Sequence, residues 1–288
     1  MEGSRGVNMQ LRIVHTSEYA YDGGAMASYN QARMTPVTTP EQIVVHHRLD
    51  VSPKPWTYSY TDYFGCAVTA FEVVDPHDSM TVTATSTVQV NRSGAEPEAR
   101  STWSSYGERE VRDRWTEFLV VSDLVAPTPD FEQLVKDIGA GADLPGDAAR
   151  AVCRLVTAQI DFLPGATDVE STAAEAWDQR AGVGQDMVHL AIGGLRTLGI
   201  PARYVSGYVH PVDSPVVGET VSGDPFAWLE WWDDGWQAFD PTTDNAPGER
   251  YVAIGHGRDY ADVPPLRGIY TGAQTAALEV GVEVTRLA

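Results

Sequence analysis

The chain is poor in cysteine and in lysine. Its 288 residues include two cysteines, Cys66 and Cys153, which are too few and too far apart in sequence for a disulfide framework or a zinc-ligand pattern. Lysine occurs only at Lys54 and Lys136, and 40 acidic residues outnumber 20 basic ones, which gives a net charge of −20. Because affinity for phosphate backbones comes from lysine and arginine, this balance excludes a general nucleic-acid binder.

Long apolar runs are also missing. No stretch approaches the roughly 18 to 20 apolar residues that cross a bilayer, and the first residues, "MEGSRGVNMQLRIVHTS", contain no apolar segment of the secretory type. The sequence also lacks a P-loop, a dinucleotide fingerprint and a metal-ligand motif. We therefore expect a cytoplasmic protein with no membrane span, no metal and no cofactor, whose 43% of apolar residues form a sizeable core.

The first third of the chain carries the two-residue alternation of β-strands. In "MTVTATSTVQV", residues 80–90, mainly apolar side chains alternate with threonine and glutamine, which predicts a half-buried strand. The polar segment "NRSGAEPEARS", residues 91–101, contains glycine and proline and separates these strands from helical patterns. On this basis we predict two domains, a β-domain over residues 1–95 and a second domain over residues 102–288.

The second predicted domain has helical signals followed by strands. Thr128 is a predicted helix N-cap, with Pro129 in the first helical position and Gly139 as the predicted stop. A later apolar helix, "GQDMVHLAIGGLRTLG", is predicted to end at Gly199. Three segments with strand character follow, "ARYVSGYV", "FAWLEWW" and "GWQAFD". Helices followed by antiparallel strands predict an α+β fold.

The segment "WWDDGWQAF" predicts a hairpin with a three-residue loop, in which Gly235 has a left-handed conformation. The residues that this register pairs across the hairpin are Trp232 with Trp236, Leu229 with Phe239, and Trp228 with Asp240. Phe226 and Asp240 then share one face of the sheet as diagonal neighbours, at about 7 to 8 Å between their backbones.

Four short motifs occur in a fixed order along the second domain. They are "GVGQD" at 182–186, "YVSGY" at 204–208, "FAWLE" at 226–230 and "FDPT" at 239–242. In this order they resemble the bacterial transglutaminase-like family, which shows "GVCQD", "YVSGY", "HAWVE" and "FDPT". The segments "YTDYFGCAVTAFEVVDPHDSMTVTATSTVQV" and "GHGRDYADVPPLRGIYTG" resemble the family's N-terminal β-domain and C-terminal segment, so the likeness covers nearly the whole chain.

The resemblance implies a papain-like α+β core with an N-terminal antiparallel β-domain. In a papain-like site, a cysteine at a helix start forms the thiolate, a histidine from a strand acts as base, and a carboxylate orients the histidine. The matched positions here are Gly184, Phe226 and Asp240, and only Asp240 keeps a functional group. We therefore predict that no thiol-dependent amide chemistry takes place, although backbone donors remain at the helix start.

Other residues near these positions have two interpretations each. Asp240 either remains from the triad or closes a turn before a proline, which is a common role of aspartate. Gln185 and Trp228 are predicted to line the former groove, as the wall of a binding surface or of a filled, inactive cleft. Asp186 and His189 are three residues apart on one helix, so they form either a structural hydrogen-bond network or an acid/base pair.

Three hypotheses about function follow. The first is a catalytically degenerate transglutaminase-like protein that acts by binding a peptide or protein, the ligand class that the resemblance implies. The second is an enzyme of altered chemistry that hydrolyses or transfers amides without a covalent intermediate, using Asp240, Asp186 or His189. The third is a cysteine amidase or protease whose thiol comes from Cys66, Cys153 or a partner. The substitutions at Gly184 and Phe226 favour the first.

Overall fold

The computed structural model describes residues 8–96, 98–272 and 275–288. The expectation of a cytoplasmic protein rests in part on the first 17 residues. Of these, residues 1–7 lie outside the described residues, and so does Pro97 in the predicted linker. Within the described ranges, no helix is both long enough and apolar enough to cross a membrane.

Strands and helices alternate along the described chain. The strands are β1 (Met9–Ala32), β2 (Gln42–Ser52), β3 (Trp56–Thr61), β4 (Ala67–Val73), β5 (His77–Val90), β6 (Asp161–Phe162), β7 (Ala181–Gly182), β8 (Ala202–Val209), β9 (Thr220–Gly223), β10 (Pro225–Trp232), β11 (Trp236–Phe239), β12 (Tyr251–Gly257), β13 (Leu266–Gly272) and β14 (Thr275–Arg286). The α-helices are α1 (Trp103–Gly107), α2 (Arg109–Arg114), α3 (Pro129–Gly141), α4 (Pro145–Gln159), α5 (Ala173–Gln179) and α6 (Gly184–Thr197), and short 3₁₀ helices cover Thr116–Leu119, Asp123–Val125 and Tyr260–Asp262.

The larger sheet is built around β1. In the described residues it has eight antiparallel strands, with the main order β2-β5-β1-β14-β9, and β13, β4 and β3 extend it beside the second half of β1. Every second residue in the first half of β1 is buried, from Met9 to Ser17, because side chains of a strand alternate between its two faces. His15 and Ser17 therefore lie on the same buried face as Leu11 and Ile13.

The larger sheet takes strands from both ends of the described chain. β14 runs antiparallel to β1, with Ser17 opposite Val280, and β13 pairs with the second half of β1. Both strands belong to the part of the chain that the sequence analysis placed in the domain of residues 102–288, and both pair with β1. The division into residues 1–95 and 102–288 stays a prediction. Pairing between distant segments leaves no mark on local periodicity, which is the signal that the sequence analysis used.

The smaller sheet packs against helix α6. It has four strands in the described residues, in the order β11-β10-β8-β12, and α6 shares a buried core with Leu229 and Trp231 of β10. Helix α6 approaches the loop before α3 very closely, since a Cβ added at Gly193 would lie 1.9 Å from the carbonyl oxygen of Val125. Its predicted end is confirmed by Gly199, which follows the helix with φ of 77°. A helical layer on an antiparallel sheet confirms the α+β fold class.

Helix α3 begins as predicted and ends later than predicted. The hydroxyl of Thr128 accepts a hydrogen bond of 3.4 Å from the Phe131 N–H, and Pro129 occupies the first turn. The helix then continues past Gly139 to its last residue, Gly141, so the predicted stop is wrong. A Cβ at Gly139 would lie 2.6 Å from Cδ2 of Leu198, and the glycine therefore allows α3 to pack against the end of α6.

The hairpin of β10 and β11 has the predicted register in its ladder. The matching pairs are Trp232 with Trp236 and Leu229 with Phe239. The left-handed residue of the loop is Asp234, with φ of 53°, whereas Gly235 has φ of 145°. The predicted pairing of Trp228 with Asp240 does not form, because Asp240 makes a bridge with Asn245 in the turn that follows.

Candidate functional site

A cavity of about 690 Å³ lies between the larger sheet and the start of helix α6. One side, the core wall, is formed by Val183, Gly184, Gln185, Tyr204, Ser206, Phe226 and Ala227. The opposite side, the sheet wall, is formed by His15, Ser17, Tyr19, Leu278 and Val280. In the described part of the chain, no group of three or more histidine, cysteine, aspartate or glutamate residues could hold a metal ion.

Gly184 is the first residue of α6 and lies in the core wall. A Cβ added there would meet one atom within 4 Å, Cγ2 of Thr242 at 3.5 Å, which is an ordinary van der Waals distance. The N–H groups of Gly184 and Gln185 have no partner inside the helix, because the first turn of any α-helix leaves its donors free. The position thus has room for a side chain and nearby backbone donors, but glycine supplies no nucleophile.

Phe226 lies in the same core wall. It pairs with Gly207 of β8 and packs edge-on against the Tyr251 ring, at 6.0 Å between ring centroids and 69° between ring planes. The structure therefore brings Phe226 and Gly184 to one cavity, as the motif order predicts. A phenyl ring has no site for a proton, so this position supplies no base.

Asp240 is fully buried and lies behind the core wall without reaching the cavity surface. Its Oδ1 accepts hydrogen bonds from the N–H of Thr242 (2.8 Å) and from the hydroxyl of the same residue (2.7 Å). Its Oδ2 accepts from the hydroxyls of Thr243 (3.1 Å) and Tyr251 (2.8 Å). Burial raises the pKa of Asp240 and these hydrogen bonds oppose the rise. Because it accepts four hydrogen bonds, the carboxylate stabilises the turn and has no free lone pair for a substrate.

The structure separates the two predicted groove residues. Gln185 lies in the core wall, and its side-chain amide donates to the carbonyl oxygen of Val169 at 3.1 Å. Trp228 is fully buried and does not line the cavity, which corrects the prediction for this residue. Its face of β10 is covered by the Tyr251 ring at 5.6 Å and by the Arg92 guanidinium at 5.7 Å.

Asp186 and His189 are buried and do not line the cavity. Oδ2 of Asp186 accepts from the Val183 N–H (2.7 Å) and the Thr167 hydroxyl (2.6 Å), and Nε2 of His189 accepts from the Tyr260 N–H (3.1 Å). Within the described residues no hydrogen bond joins Asp186 to His189. Burial lowers the pKa of His189 to about 3, so the ring stays neutral near pH 7. These contacts support a structural role for each residue.

Both cysteines are buried and free, and neither lines the cavity. Burial raises the pKa of Cys66 to about 11 and raises that of Cys153 further. The Cys66 thiol donates weakly to the carbonyl oxygen of His256 at 3.4 Å, and Cys153 lies in the core beside α6. A thiol becomes a nucleophile as the thiolate, so neither residue is activated.

The sequence analysis missed the polar groups of the sheet wall. Nδ1 of His15 lies 2.8 Å from the hydroxyl of Tyr208, and Nε2 lies 3.3 Å from Oγ of Ser17. The signal was present in the sequence, because His15 and Ser17 continue the alternation of the apolar residues Leu11 and Ile13. It predicts polar side chains on a buried face, where they need partners.

Two family models match this chain, and two similar proteins cover nearly all of it. Residues 11–89 match the bacterial transglutaminase-like N-terminal region, and residues 132–241 match the core of the transglutaminase-like superfamily. An uncharacterized protein of Mycobacterium leprae is 41% identical over 97% of this chain and 99% of its own length. Another from Mycobacterium bovis is 33% identical over 96% of this chain and 92% of its own length.

The fold is also found among solved structures. A proposed cysteine protease from Cytophaga hutchinsonii superposes with a TM-score of 0.76, over 98% of this chain and 91% of the other, at 20% identity. This likeness shows a shared papain-like fold. The chain therefore belongs to the transglutaminase-like superfamily and carries the N-terminal region of its bacterial members.

Proposed function

We propose that this protein is a catalytically degenerate transglutaminase-like protein that binds a peptide or protein ligand in the cavity. The observation that carries the proposal is a cavity of about 690 Å³ lined by Gly184 and Phe226, which supply neither a nucleophile nor a base. Its volume lies in the range of about 300 to 1,000 Å³ that is usual for ligand sites.

The contacts of the other candidate groups argue against altered chemistry at this site. The Asp240 carboxylate is saturated by four donors, and the buried Asp186 and His189 do not reach the cavity. A general base must lie within hydrogen-bond reach of the proton that it removes. None of these three residues meets that condition for a ligand in the cavity.

The proposal includes a cytoplasmic location and no nucleic-acid partner. Two unpaired cysteines, Cys66 and Cys153, are typical of a reducing compartment, and the net charge of −20 opposes binding to a polyanion. Fractionation of the source cells, followed by detection of the protein, tests the location.

Peptide selection with a blocked cavity tests the binding function. Gly184→Leu would place an isobutyl group in the cavity, and its Cβ would make an ordinary contact with Thr242 at 3.5 Å. Leucine also favours the helix by up to about 1 kcal/mol over glycine, so the variant is expected to fold. Peptides from a displayed random library that bind the wild type are expected to lose at least about tenfold in affinity for Gly184→Leu. Equal binding to both proteins would refute binding in the cavity.

Activity assays test the loss of thiol chemistry. We expect no peptide hydrolysis and no amine incorporation that is abolished by iodoacetamide. Gly184→Ala, with its small change to the core wall, is the matched control, and it should be as inactive as the wild type. Turnover that iodoacetamide removes from the wild type would contradict the proposal.

A further inference from the structure

Ser17, in the sheet wall, has a hydroxyl group with one hydrogen-bond partner among the described residues, the His15 ring. His15 and Ser17 are 1% and 3% exposed, and both lie at the cavity surface. Ser17 Oγ contacts His15 Nε2 at 3.3 Å, and His15 Nδ1 contacts the Tyr208 hydroxyl at 2.8 Å. The three side chains form one chain of hydrogen bonds that leads from the buried Tyr208 to the cavity.

The groups present decide which atom donates in each of these two hydrogen bonds. Burial lowers the pKa of His15 to about 4, so its ring is neutral near pH 7, with one N–H donor and one acceptor nitrogen. Among the described residues neither the Tyr208 hydroxyl nor the Ser17 hydroxyl has an acceptor other than His15. Tyr208 does not reach the cavity, whereas Ser17 can donate to a ligand there, so the arrangement that leaves no buried donor unpaired has Tyr208 donating to Nδ1. Nε2 then carries the ring proton and donates to Ser17 Oγ. The Ser17 proton therefore has no acceptor within the described residues.

A second hydroxyl lies in the opposite wall. Ser206 precedes Tyr208 by two residues on β8, so the two side chains share one face of the strand. Ser206 lines the cavity and has no hydrogen-bond partner within the described chain. Ser17 and Ser206 are thus two of the lining residues that carry a hydroxyl group, and the others are Tyr19, Tyr204, Ser222 and Tyr260.

The remainder of the cavity surface selects against negative charge, and its one carboxylate, Asp224, is exposed to solvent, where ion pairs are weak. Asp224 is the one residue with a full charge among the described lining residues, and no lysine or arginine lines the cavity. The His15 ring is neutral near pH 7. Most of the other lining side chains are apolar, as in Phe162, Val209 and Leu278. An anionic ligand would leave water without a cation to pair with, which is costly, whereas an uncharged ligand would bury apolar surface.

We propose that Ser17 is the polar anchor of the cavity and that the ligand is an uncharged peptide segment with a bulky aliphatic or aromatic side chain. The side chain occupies the apolar space beside Phe226, and the adjacent carbonyl oxygen accepts a hydrogen bond from Ser17. His15 and Tyr208 are positioning residues, since they fix the direction in which Ser17 donates. This inference rests on the proposed function and assigns its ligand chemistry.

The dye prodan is a suitable probe, because it is an uncharged naphthalene with one carbonyl group. Its emission moves to shorter wavelength in apolar surroundings and to longer wavelength when the carbonyl accepts a hydrogen bond. We expect saturable binding to the wild type and competition by N-acetyl-phenylalaninamide, which is also uncharged. Ser17→Ala is expected to weaken binding by about fivefold to tenfold, the value of one hydrogen bond, and to shift emission further to the blue. Ser17→Thr keeps the hydroxyl and is expected to retain wild-type affinity and emission.

Two further measurements separate failure of this inference from failure of the proposed function. Gly184→Leu fills the cavity and is expected to abolish prodan binding. If it does so while Ser17→Ala behaves like the wild type, the anchor is refuted and binding in the cavity stands. If prodan binds Gly184→Leu as it binds the wild type, this cavity is not the binding site and both proposals fail. Equal affinity for anilinonaphthalene sulfonate, which is an anion, would refute the assignment of an uncharged ligand.

Discussion

The two walls of the cavity differ in the polar side chains that they present. The core wall carries Gly184 and Phe226, which supply neither a nucleophile nor a base, and the Asp240 carboxylate behind them is saturated by hydroxyl and backbone donors. The sheet wall carries His15 and Ser17, which are linked by hydrogen bonds to the buried Tyr208. One wall therefore has no reactive group at these two positions, and the other has a hydrogen-bonded set.

The Asp240 carboxylate has a full set of hydrogen-bond donors without a histidine at position 226. Removal of a histidine next to a buried carboxylate leaves the carboxylate short of a donor, which costs about 1 to 3 kcal/mol or more for a charged group. In this protein the Tyr251 hydroxyl donates to Asp240 Oδ2 at 2.8 Å. The buried charge thus keeps its partners although position 226 is a phenylalanine.

The largest effect is expected from restoring the core wall. The double variant Gly184→Cys/Phe226→His should have a thiol pKa at least about 2 units below that of Gly184→Cys alone, since an imidazolium next to a thiolate stabilises it. The rate of alkylation by iodoacetamide against pH measures this difference. The wild type, with Cys66 and Cys153 buried, gives the background rate.

Addition of Tyr251→Phe to the double variant sharpens this test. It frees Asp240 Oδ2 to orient the new imidazole, so a further fall in the thiol pKa is expected. A thiol that titrates identically in the single, double and triple variants would show that position 226 does not reach position 184. The core wall would then not be the former catalytic site.

A smaller effect, on the free energy of unfolding, is expected from removing the hydroxyl groups of Tyr251 and Tyr208, which bind Asp240 and His15. Tyr251→Phe removes one of the four donors to the buried Asp240 carboxylate. We expect a loss of about 3 kcal/mol in the free energy of unfolding, because a hydrogen bond to a charged group is worth more than one to a neutral group. Tyr208→Phe leaves Nδ1 of the neutral His15 ring buried without its partner, and we expect a loss of about 1.5 kcal/mol. Urea denaturation of both variants measures the two losses. The reverse order would mean that the sheet wall depends more on its polar network than the core wall does.

Acid should weaken the fold partly through the sheet wall. The pKa of His15 is about 4 in the folded protein against an ordinary 6.5, so the unfolded chain takes up the proton first as the pH falls. The stability that is present above pH 6.5 is then lost progressively towards pH 4. Between pH 7 and pH 5, the wild type should lose about 2 kcal/mol more than His15→Gln, as urea denaturation at each pH would measure.

His189 and His256 also have lowered pKa values through burial, but they titrate in both proteins. The difference between wild type and His15→Gln therefore isolates His15. Parallel loss of stability in the two proteins would contradict the neutral, buried ring that the sheet wall requires.

The smallest effect is expected at the start of α6. Gly184→Ala should change the free energy of unfolding by less than about 0.5 kcal/mol, because its Cβ would lie 3.5 Å from Thr242 and no strained φ is needed. Gly182→Ala is the matched contrast, since its Cβ would lie 2.8 Å from Oδ2 of Asp186, the residue that caps the helix. Thermal unfolding of both variants compares them. Equal losses would mean that the core wall has no spare room at Gly184.

The sequence predicted the features that depend on local pattern. Turn residues and periodicity predicted the N-cap at Thr128, the end of α6 before Gly199 and the hairpin ladder from Leu229 to Trp232. The burial of Trp228 could not be predicted in this way, because it depends on contacts with Arg92 and Tyr251, which come from distant segments. The contacts of His15 with Tyr208 and of Asp240 with Tyr251 were missed for the same reason, whereas the contacts of Asp240 with Thr242 and Thr243 are those of the turn that was one of its two interpretations.

The position of β14 has a consequence for the time at which the sheet wall is completed. Among the described strands β1 is synthesised first and its neighbour β5 is the fifth, whereas β14 is synthesised after the other thirteen. While the rest of the chain is translated, the first half of β1 has one edge without a partner, and an open edge invites pairing with other chains. We therefore expect this edge of β1 to stay open to pairing with other chains until β14 has left the ribosome.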